Sequence, residues 1–425
     1  MRESLEITPA RGPIRGTIRP PGSKSITNRA LICAALADGV STLEGALDSE
    51  DTRVMIDSLG RLGIRVESAD NGRTLTIHGC GGDIPANRAD LYIANSGTSV
   101  RFLTALAALG HGTYRLDGTP RMRERPIQDL LDGLSQLGVQ AKSEAASGCP
   151  PVVVNAGGLR GGAARVRGDV SSQFLSGLLL AAPYASQPVT LTVDGELVSR
   201  PYIELTLAVM ESFGVAVDAG DFQRFEIPRR HYLATDYAVE PDASAASYFF
   251  AAAAITGGEL TVEGLGHGSL QGDIAFCDCL AQMGCDVRYE RDRTTVVGRA
   301  VRGIDVDMNS ISDTVQTLAA VALFADGPTT ITGVGHIRHK ETDRIGNLAI
   351  ELRKLGATVD ELSDGLRITP AVLRGAQIET YNDHRMAMSL ALVGLRIPGV
   401  VILDPRCTEK TYPGFFQDLG ELADA

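Results

Sequence analysis

The sequence predicts a two-domain α/β protein made of six βαβαββ-like repeats, three to each domain. Three observations predict it. An apolar, Ala- and Leu-rich helix that opens with a polar or Gly-containing turn recurs six times. A second, amphipathic helix ending in Gly keeps the same beat. The chain has 425 residues, a length at which two domains, at most three, are expected.

The first helices lie in GSKSITNRALICAALADG (22–39), NSGTSVRFLTALAALG (95–110), SSQFLSGLLLAAPYA (171–185), DASAASYFFAAAAITG (242–257), SDTVQTLAAVALFADG (312–327) and NDHRMAMSLALVGL (382–395). With Ser25, Thr98, Ser172, Ser244, Asp313 and Asp383 as markers, the steps are 73, 74, 72, 69 and 70 residues. Self-similarity at a fixed period marks repeated structural units. Apolar on nearly every face, these helices are expected to be buried. The second helices end in Gly63, Gly138, Gly214, Gly284 and Gly356, where a left-handed C-terminal residue is expected before a strand. A sixth, FFQDLGELADA, has no strand after it, and SLEIT (4–8) is the candidate to supply one. Short alternating runs such as TLTIHG and GLRITP suit small sheets. Joining the chain's ends in one domain gives 1–21 plus 241–425 as one domain and 22–240 as the other. The hinge crossings then fall near 20–24 and 236–244, both marked by proline.

Composition narrows the function. The chain is 44% apolar, which supports a sizeable core and excludes disorder. Lys and Arg number 40 against 52 Asp and Glu, a net charge of −12, so neither nucleic acid nor an anionic membrane is an expected partner. No run reaches the ~18 apolar residues of a membrane span. The charged start MRESLEITPARG lacks the apolar stretch of a secretory signal. Seven scattered cysteines without CxxC spacing read as reduced helix-packing thiols. A cytoplasmic protein is expected. There is no Walker A loop, no GxGxxG after a strand and no HExxH, and the histidines show no metal-ligand spacing. Neither a metal nor a cofactor is expected.

The helix starts carry the chemistry. A helix N-terminus presents orphan N–H groups and a positive dipole end, and anions bind there. Here Lys24, Arg29, Arg101 and Arg385 sit at such starts. If the three buried helices of a domain run parallel, their starts converge, and two such faces form an electropositive cleft in an acidic protein. RMRERP (121–126), GHIRHKETDR (335–344) and PRCTEKTYPG (405–414) add further cations in phase with the repeat. Guanidinium forks suit carboxylate and phosphate. Asp313 and Glu341 stand among these cations, as salt-bridge partners or as proton shuttles. Spacing alone favours the structural role.

Together, PGSKSITNRAL, NSGTSVRFLTA, PRMRERPI, GDVSSQFLSGLL, LVSRPYIELTL, EPDASAASYFFAAAAI, HKETDRI, YNDHRMAMSLALVGL and DPRCTEKTYP resemble the 5-enolpyruvylshikimate-3-phosphate (EPSP) synthase family, over residues 20 to 414. The resemblance implies the enolpyruvyl transferase fold: two domains of three repeats, an inside-out α/β barrel with buried helices. It implies transfer of the enolpyruvyl group of phosphoenolpyruvate to the 5-hydroxyl of shikimate 3-phosphate, with release of phosphate, through a tetrahedral intermediate and without metal or cofactor. This is a step towards chorismate and the aromatic amino acids. It implies a shikimate 3-phosphate site of Lys24, Ser25, Arg29, Ser171, Ser172, Gln173, Ser199, Tyr202, Asp313, His336 and Lys340. It implies a phosphoenolpyruvate site of Lys24, Gly97, Arg125, Gln173, Arg344, Arg385 and Lys410. Asp313 is the expected base for the hydroxyl, and Glu341 the proton relay at the methylene. Lys24 shares in catalysis, and Lys340 and His384 assist. Glyphosate is the expected inhibitor and a monomer the expected state. Two positions depart from many members: His336 stands where Asn is common and adds a titratable group, and Phe102 stands where several have Pro. The sister enzyme acting on UDP-N-acetylglucosamine normally carries a reactive Cys where this chain has RMRERP, and no Cys is present there. An anion-binding protein without catalysis is disfavoured by Lys24, Asp313 and Glu341 occurring together.

Overall fold

The structure, a computed structural model, describes residues 3–424. Met1, Arg2 and Ala425, which belong to the charged start and the joined ends read above, lie outside the described residues. The chain divides into two compact units. One is Gly22–Val239; the other is formed by the chain up to Pro21 and from Glu240 onward. Each has its own apolar core.

Among the described residues, six small sheets follow one plan. In the repeat that starts at Arg88–Tyr92, this strand pairs in parallel with His111–Asp117. The helix Gly97–Ala107 between them makes the crossover that parallel strands require. The helix Gln128–Gln136 then leads to Gln140–Ser143 and Val152–Gly157, which complete the sheet with antiparallel pairs. Four sheets have four strands and two have three, and among the described residues none closes into a barrel. The inside-out arrangement therefore means helices within and separate sheets around them.

Each unit borrows strands from elsewhere in its chain segment. Asp236–Ala238 pairs in parallel with Asp38–Glu44. In the other unit Arg15–Ile18 pairs in parallel with Glu259–Glu263, and Ser4–Glu6 runs antiparallel to Val401–Leu403. The glycines that end the second helices all have positive φ: 87° at Gly63, 91° at Gly138, 84° at Gly214, 115° at Gly284 and 108° at Gly356. Only glycine adopts this region without steric cost.

The first helices are buried. Every residue of Ala243–Thr256 is buried, and alanine makes up much of it, so neighbouring helices approach closely. Lys24–Leu36, Gly97–Ala107 and Ser172–Ala181 pack together in one unit; Ala243–Thr256, Val315–Ala322 and His384–Gly394 pack together in the other. In the second trio Ser247 meets Thr317 at 3.1 Å, and Thr317 meets Ser389 at 3.2 Å. Ser247, Thr317 and Ser389 are the fifth, third and sixth residues of their helices, and Arg385, at the start of the third helix, reaches Asp313, just ahead of the second, at 2.7 Å. Among the described residues no helix is long and apolar enough to cross a membrane.

Candidate active site

Each unit gathers its candidate residues at its cluster of helix starts. In the Gly22–Val239 unit, the side chains of Ser23, Ser96 and Ser171 cap the three helices. Such a cap satisfies one orphan N–H and leaves the rest of the first turn to other partners. Lys24 lies 3.6 Å from the buried carboxylate of Asp51. Arg29 is fully buried. It donates to Thr206 Oγ1 (2.8 Å), Ser25 O (2.9 Å) and Tyr202 O (3.1 Å), and stacks over Phe102 at 5.2 Å. Burial lowers its pKa to about 10, so it stays charged at neutral pH. Phe102 is thus turned into the core beneath Arg29. Ser199 holds a left-handed conformation (φ 54°) just before the helix Pro201–Ser212, and its carbonyl accepts from Tyr202 N at 3.0 Å. Ser172 is buried at its helix start beside Ser171.

The three arginines of RMRERP have different fates. Arg121 pairs with Glu124 at 2.8 Å, and Arg123 forks onto Asp117 at 2.7 and 2.9 Å. Arg125 turns inward, only 4% exposed, and donates to Asn95 O at 2.9 Å. A Cβ placed on Gly97 would collide with its guanidinium. Gln173 completes this group, donating to Thr98 Oγ1 at 3.2 Å.

In the other unit Asp313 is the hub. The sequence places it at a regular helix start. The structure instead leads into Val315–Ala322 through a tight 3₁₀ stretch, Asn309–Thr314, broken at Ile311. Asp313 is therefore not a helix cap, and its carboxylate turns to three cations. Lys340 makes a short contact, Arg344 Nη1 lies at 3.2 Å and Arg385 Nη2 at 2.7 Å. Arg344 also forks onto Asp383 (2.7 and 3.1 Å) and reaches Glu341 at 2.8 Å. Burial works against this guanidinium's charge, but Asp383, Glu341 and Asp313 outweigh it and hold the pKa above its ordinary value. Asp383 in turn caps His384–Gly394 by accepting from Arg385 N at 2.9 Å. His384 is buried, with Nδ1 3.7 Å from Asp383. Lys410, 4% exposed, ends the turn Pro405–Lys410, which packs on the same helix. Burial also lowers the Lys340 pKa, against the pull of Asp313.

The comparisons with known proteins agree along the whole chain. The family profile described as EPSP synthase (3-phosphoshikimate 1-carboxyvinyltransferase) matches residues 9–419. A 3-phosphoshikimate 1-carboxyvinyltransferase of Trichormus variabilis is 49% identical over 416 residues, 97% of this chain and 98% of its own length. One from Shewanella denitrificans is 48% identical over 413 residues, covering 96% of each. The chain belongs to the EPSP synthase family. A solved structure of EPSP synthase from Acinetobacter baumannii superposes with a TM-score of 0.83 at 27% identity, covering 99% of this chain and 98% of that one.

Against this EPSP synthase background, Gly97, Arg125 and Gln173 come together in one unit, and Lys24 has Asp51 as neighbour. In the other, Asp313, Lys340, Glu341, Arg344, His384 and Arg385 form one constellation. Sequence reasoning missed Asp51, Asn95, Asp273 and Tyr248, whose hydroxyl accepts from Arg385 Nη1 at 3.3 Å. Asn95 had a signal, since it opens the NSGTSV turn. Asp273 had none. It sits in the 3₁₀ turn Gly272–Ala275, packed against Asn309–Thr314, and accepts a short hydrogen bond from Ser244. Burial, then Asp313, push its pKa up to about 6.

His336, the titratable group expected above, is neutral in the folded chain at neutral pH. Burial and then Lys340 lower its pKa to about 3. Below its unfolded value near 6.5, the unfolded chain takes up a proton that the folded chain refuses. Stability from this site is therefore lost as pH falls from about 6.5 towards 3. We expect His336→Asn to gain melting temperature relative to the parent on going from about pH 7 to pH 5, and to hold a constant difference above pH 7. Parallel melting curves across the acid range would show that the histidine is charged in the fold.

Proposed function

We propose that this chain transfers the enolpyruvyl group of phosphoenolpyruvate to the 5-hydroxyl of shikimate 3-phosphate and releases phosphate, as a transferase of aromatic amino acid biosynthesis. The observation that carries the reading is the Asp313 hub: one carboxylate shared by Lys340, Arg344 and Arg385, with Glu341 on the same Arg344. Addition–elimination needs one proton delivered and another removed, hence two carboxylates. It also crowds several negative groups together, hence the cations.

In this reading Asp313 takes the hydroxyl proton, and Glu341 relays one to the methylene. Protonation builds positive charge at C2, which the attacking oxygen quenches. Lys24, Lys340 and His384 assist. Lys24, Ser25, Arg29, Ser171, Ser172, Gln173, Ser199, Tyr202, Asp313, His336 and Lys340 hold shikimate 3-phosphate. Lys24, Gly97, Arg125, Gln173, Arg344, Arg385 and Lys410 hold phosphoenolpyruvate. The residues proposed for these two ligands are drawn from both units. The protein acts as a cytoplasmic monomer and is inhibited by glyphosate.

The test is phosphate release. Release should require phosphoenolpyruvate and shikimate 3-phosphate together, and UDP-N-acetylglucosamine should not replace the latter. Silence with both substrates overturns the reading.

Gly97 provides a sharper check. Because a Cβ there meets the Arg125 guanidinium, Gly97→Ala must displace a ligand cation. We expect the KM for phosphoenolpyruvate and the glyphosate inhibition constant both to rise by about tenfold or more, as for one displaced charged hydrogen bond. Unchanged constants would remove Gly97 from the pocket.

A further inference from the structure

We propose that Arg101 is a positioning residue that holds the phosphoenolpyruvate-gripping groups of the Gly22–Val239 unit, namely Gly97, Arg125 and Gln173, in register. The inference deepens the function proposed above and rests on it.

Arg101 stands one turn into the helix Gly97–Ala107 and is 3% exposed. Its guanidinium reaches three chain segments. Nη1 donates to Gly97 O at 3.1 Å and to Gln173 Oε1 at 3.1 Å; Nη2 donates to Pro126 O at 2.8 Å. Gly97 and Gln173 are two of the three groups themselves, and Pro126 follows Arg125 directly. The guanidinium carbon lies over the Phe174 ring, 5.3 Å from its centre. The backbone beneath it is equally constrained. Gly177 of the neighbouring helix approaches so closely that a Cβ there would sit 3.0 Å from Arg101 O.

The contact with Gln173 has an electrostatic consequence. A side-chain amide has an acceptor end and a donor end. Arg101 takes the acceptor Oε1. The donor NH₂ is thereby turned the other way, where it already meets Thr98 Oγ1 at 3.2 Å. A phosphate or carboxylate needs a donor, so Arg101 selects the amide orientation that suits an anion. A lysine would keep the charge but offers a single compact donor head, which cannot span three acceptors in a fixed fork.

The test uses Arg101→Lys and Arg101→Met in the full chain, with Gln173→Ala as the second site of a double-mutant cycle. Phosphate release gives kcat and the KM for phosphoenolpyruvate. Calorimetry gives shikimate 3-phosphate affinity, and thermal melting gives stability. We expect Arg101→Lys to raise the KM for phosphoenolpyruvate about tenfold, the worth of one lost hydrogen bond, and to weaken shikimate 3-phosphate by less, since only Gln173 of the three groups also serves that ligand. Arg101→Met should raise it further, and most of that rise should vanish in the Gln173→Ala background. A lowered melting temperature with unchanged KM would make Arg101 structural only. Fully multiplicative effects in the cycle would break the link to Gln173. Either result overturns the inference while the parent enzyme still turns over. A silent parent would instead overturn the functional reading, and this inference with it. Arg101→Lys, the milder change, serves if Arg101→Met does not fold.

Discussion

Asp313→Asn is expected to lower kcat for phosphate release by about 10²–10⁴-fold, the usual contribution of a positioned base. The substitution keeps the shape of the side chain and removes its charge. Two consequences follow if Asp313 is the base proposed above. The hydroxyl of shikimate 3-phosphate loses its proton acceptor. Lys340, Arg344 and Arg385 also lose the anion that all three share, and their mutual repulsion is left less compensated. On the proposed function anionic substrates would compete with Asp313 for those same cations, so substrate affinity should hold or tighten while turnover collapses. That split between binding and kcat distinguishes a base from a simple ligand-holding group. Calorimetry with shikimate 3-phosphate, run beside the rate assay, reads both. A kcat within tenfold of the parent would remove Asp313 from proton transfer.

The second large effect concerns stability. Arg344 is 1% exposed and bonds Asp313, Glu341 and the fully buried Asp383. Removing one partner of a buried ion pair leaves an uncompensated charge and costs about 3–5 kcal/mol. Arg344→Ala should therefore destabilise the chain by about that amount and also abolish turnover. Pairing it with Asp383→Asn should recover part of the stability, because the stranded charge is gone, but none of the activity. Thermal or urea unfolding of the single and double variants makes the comparison. An Arg344→Ala melting curve that matches the parent's would mean that the Asp383 carboxylate is solvated or protonated in the fold.

The buried helices were legible in the sequence because nothing outside each segment is needed to specify them. Ala243–Thr256 has no polar face to turn outward, and a helix apolar all round must be enclosed. The five glycine C-caps were legible for the same reason, since a left-handed residue is a local backbone requirement. Site residues divide along this line. Lys24, Gly97 and Arg385 sit on helix starts whose sequences announce them. The family resemblance singles out Arg125, but no local signal in the string RMRERP sets it apart from Arg121 or Arg123. Only the fold turns it inward to Asn95 while the others meet Glu124 and Asp117.

By itself, the sequence determined the repeat, the helices that must be hidden, the absence of familiar nucleotide and metal motifs, and the family. These are properties of periodicity, composition and local strings, and each survives without knowing what touches what. Tertiary structure alone decided which charges meet. Asp313 gathers Lys340, Arg344 and Arg385 from 27 to 72 residues away along the chain, and Asp273 packs beside it from another repeat. Ion pairs depend on distance and burial in space, and neither is encoded at any single position of the chain.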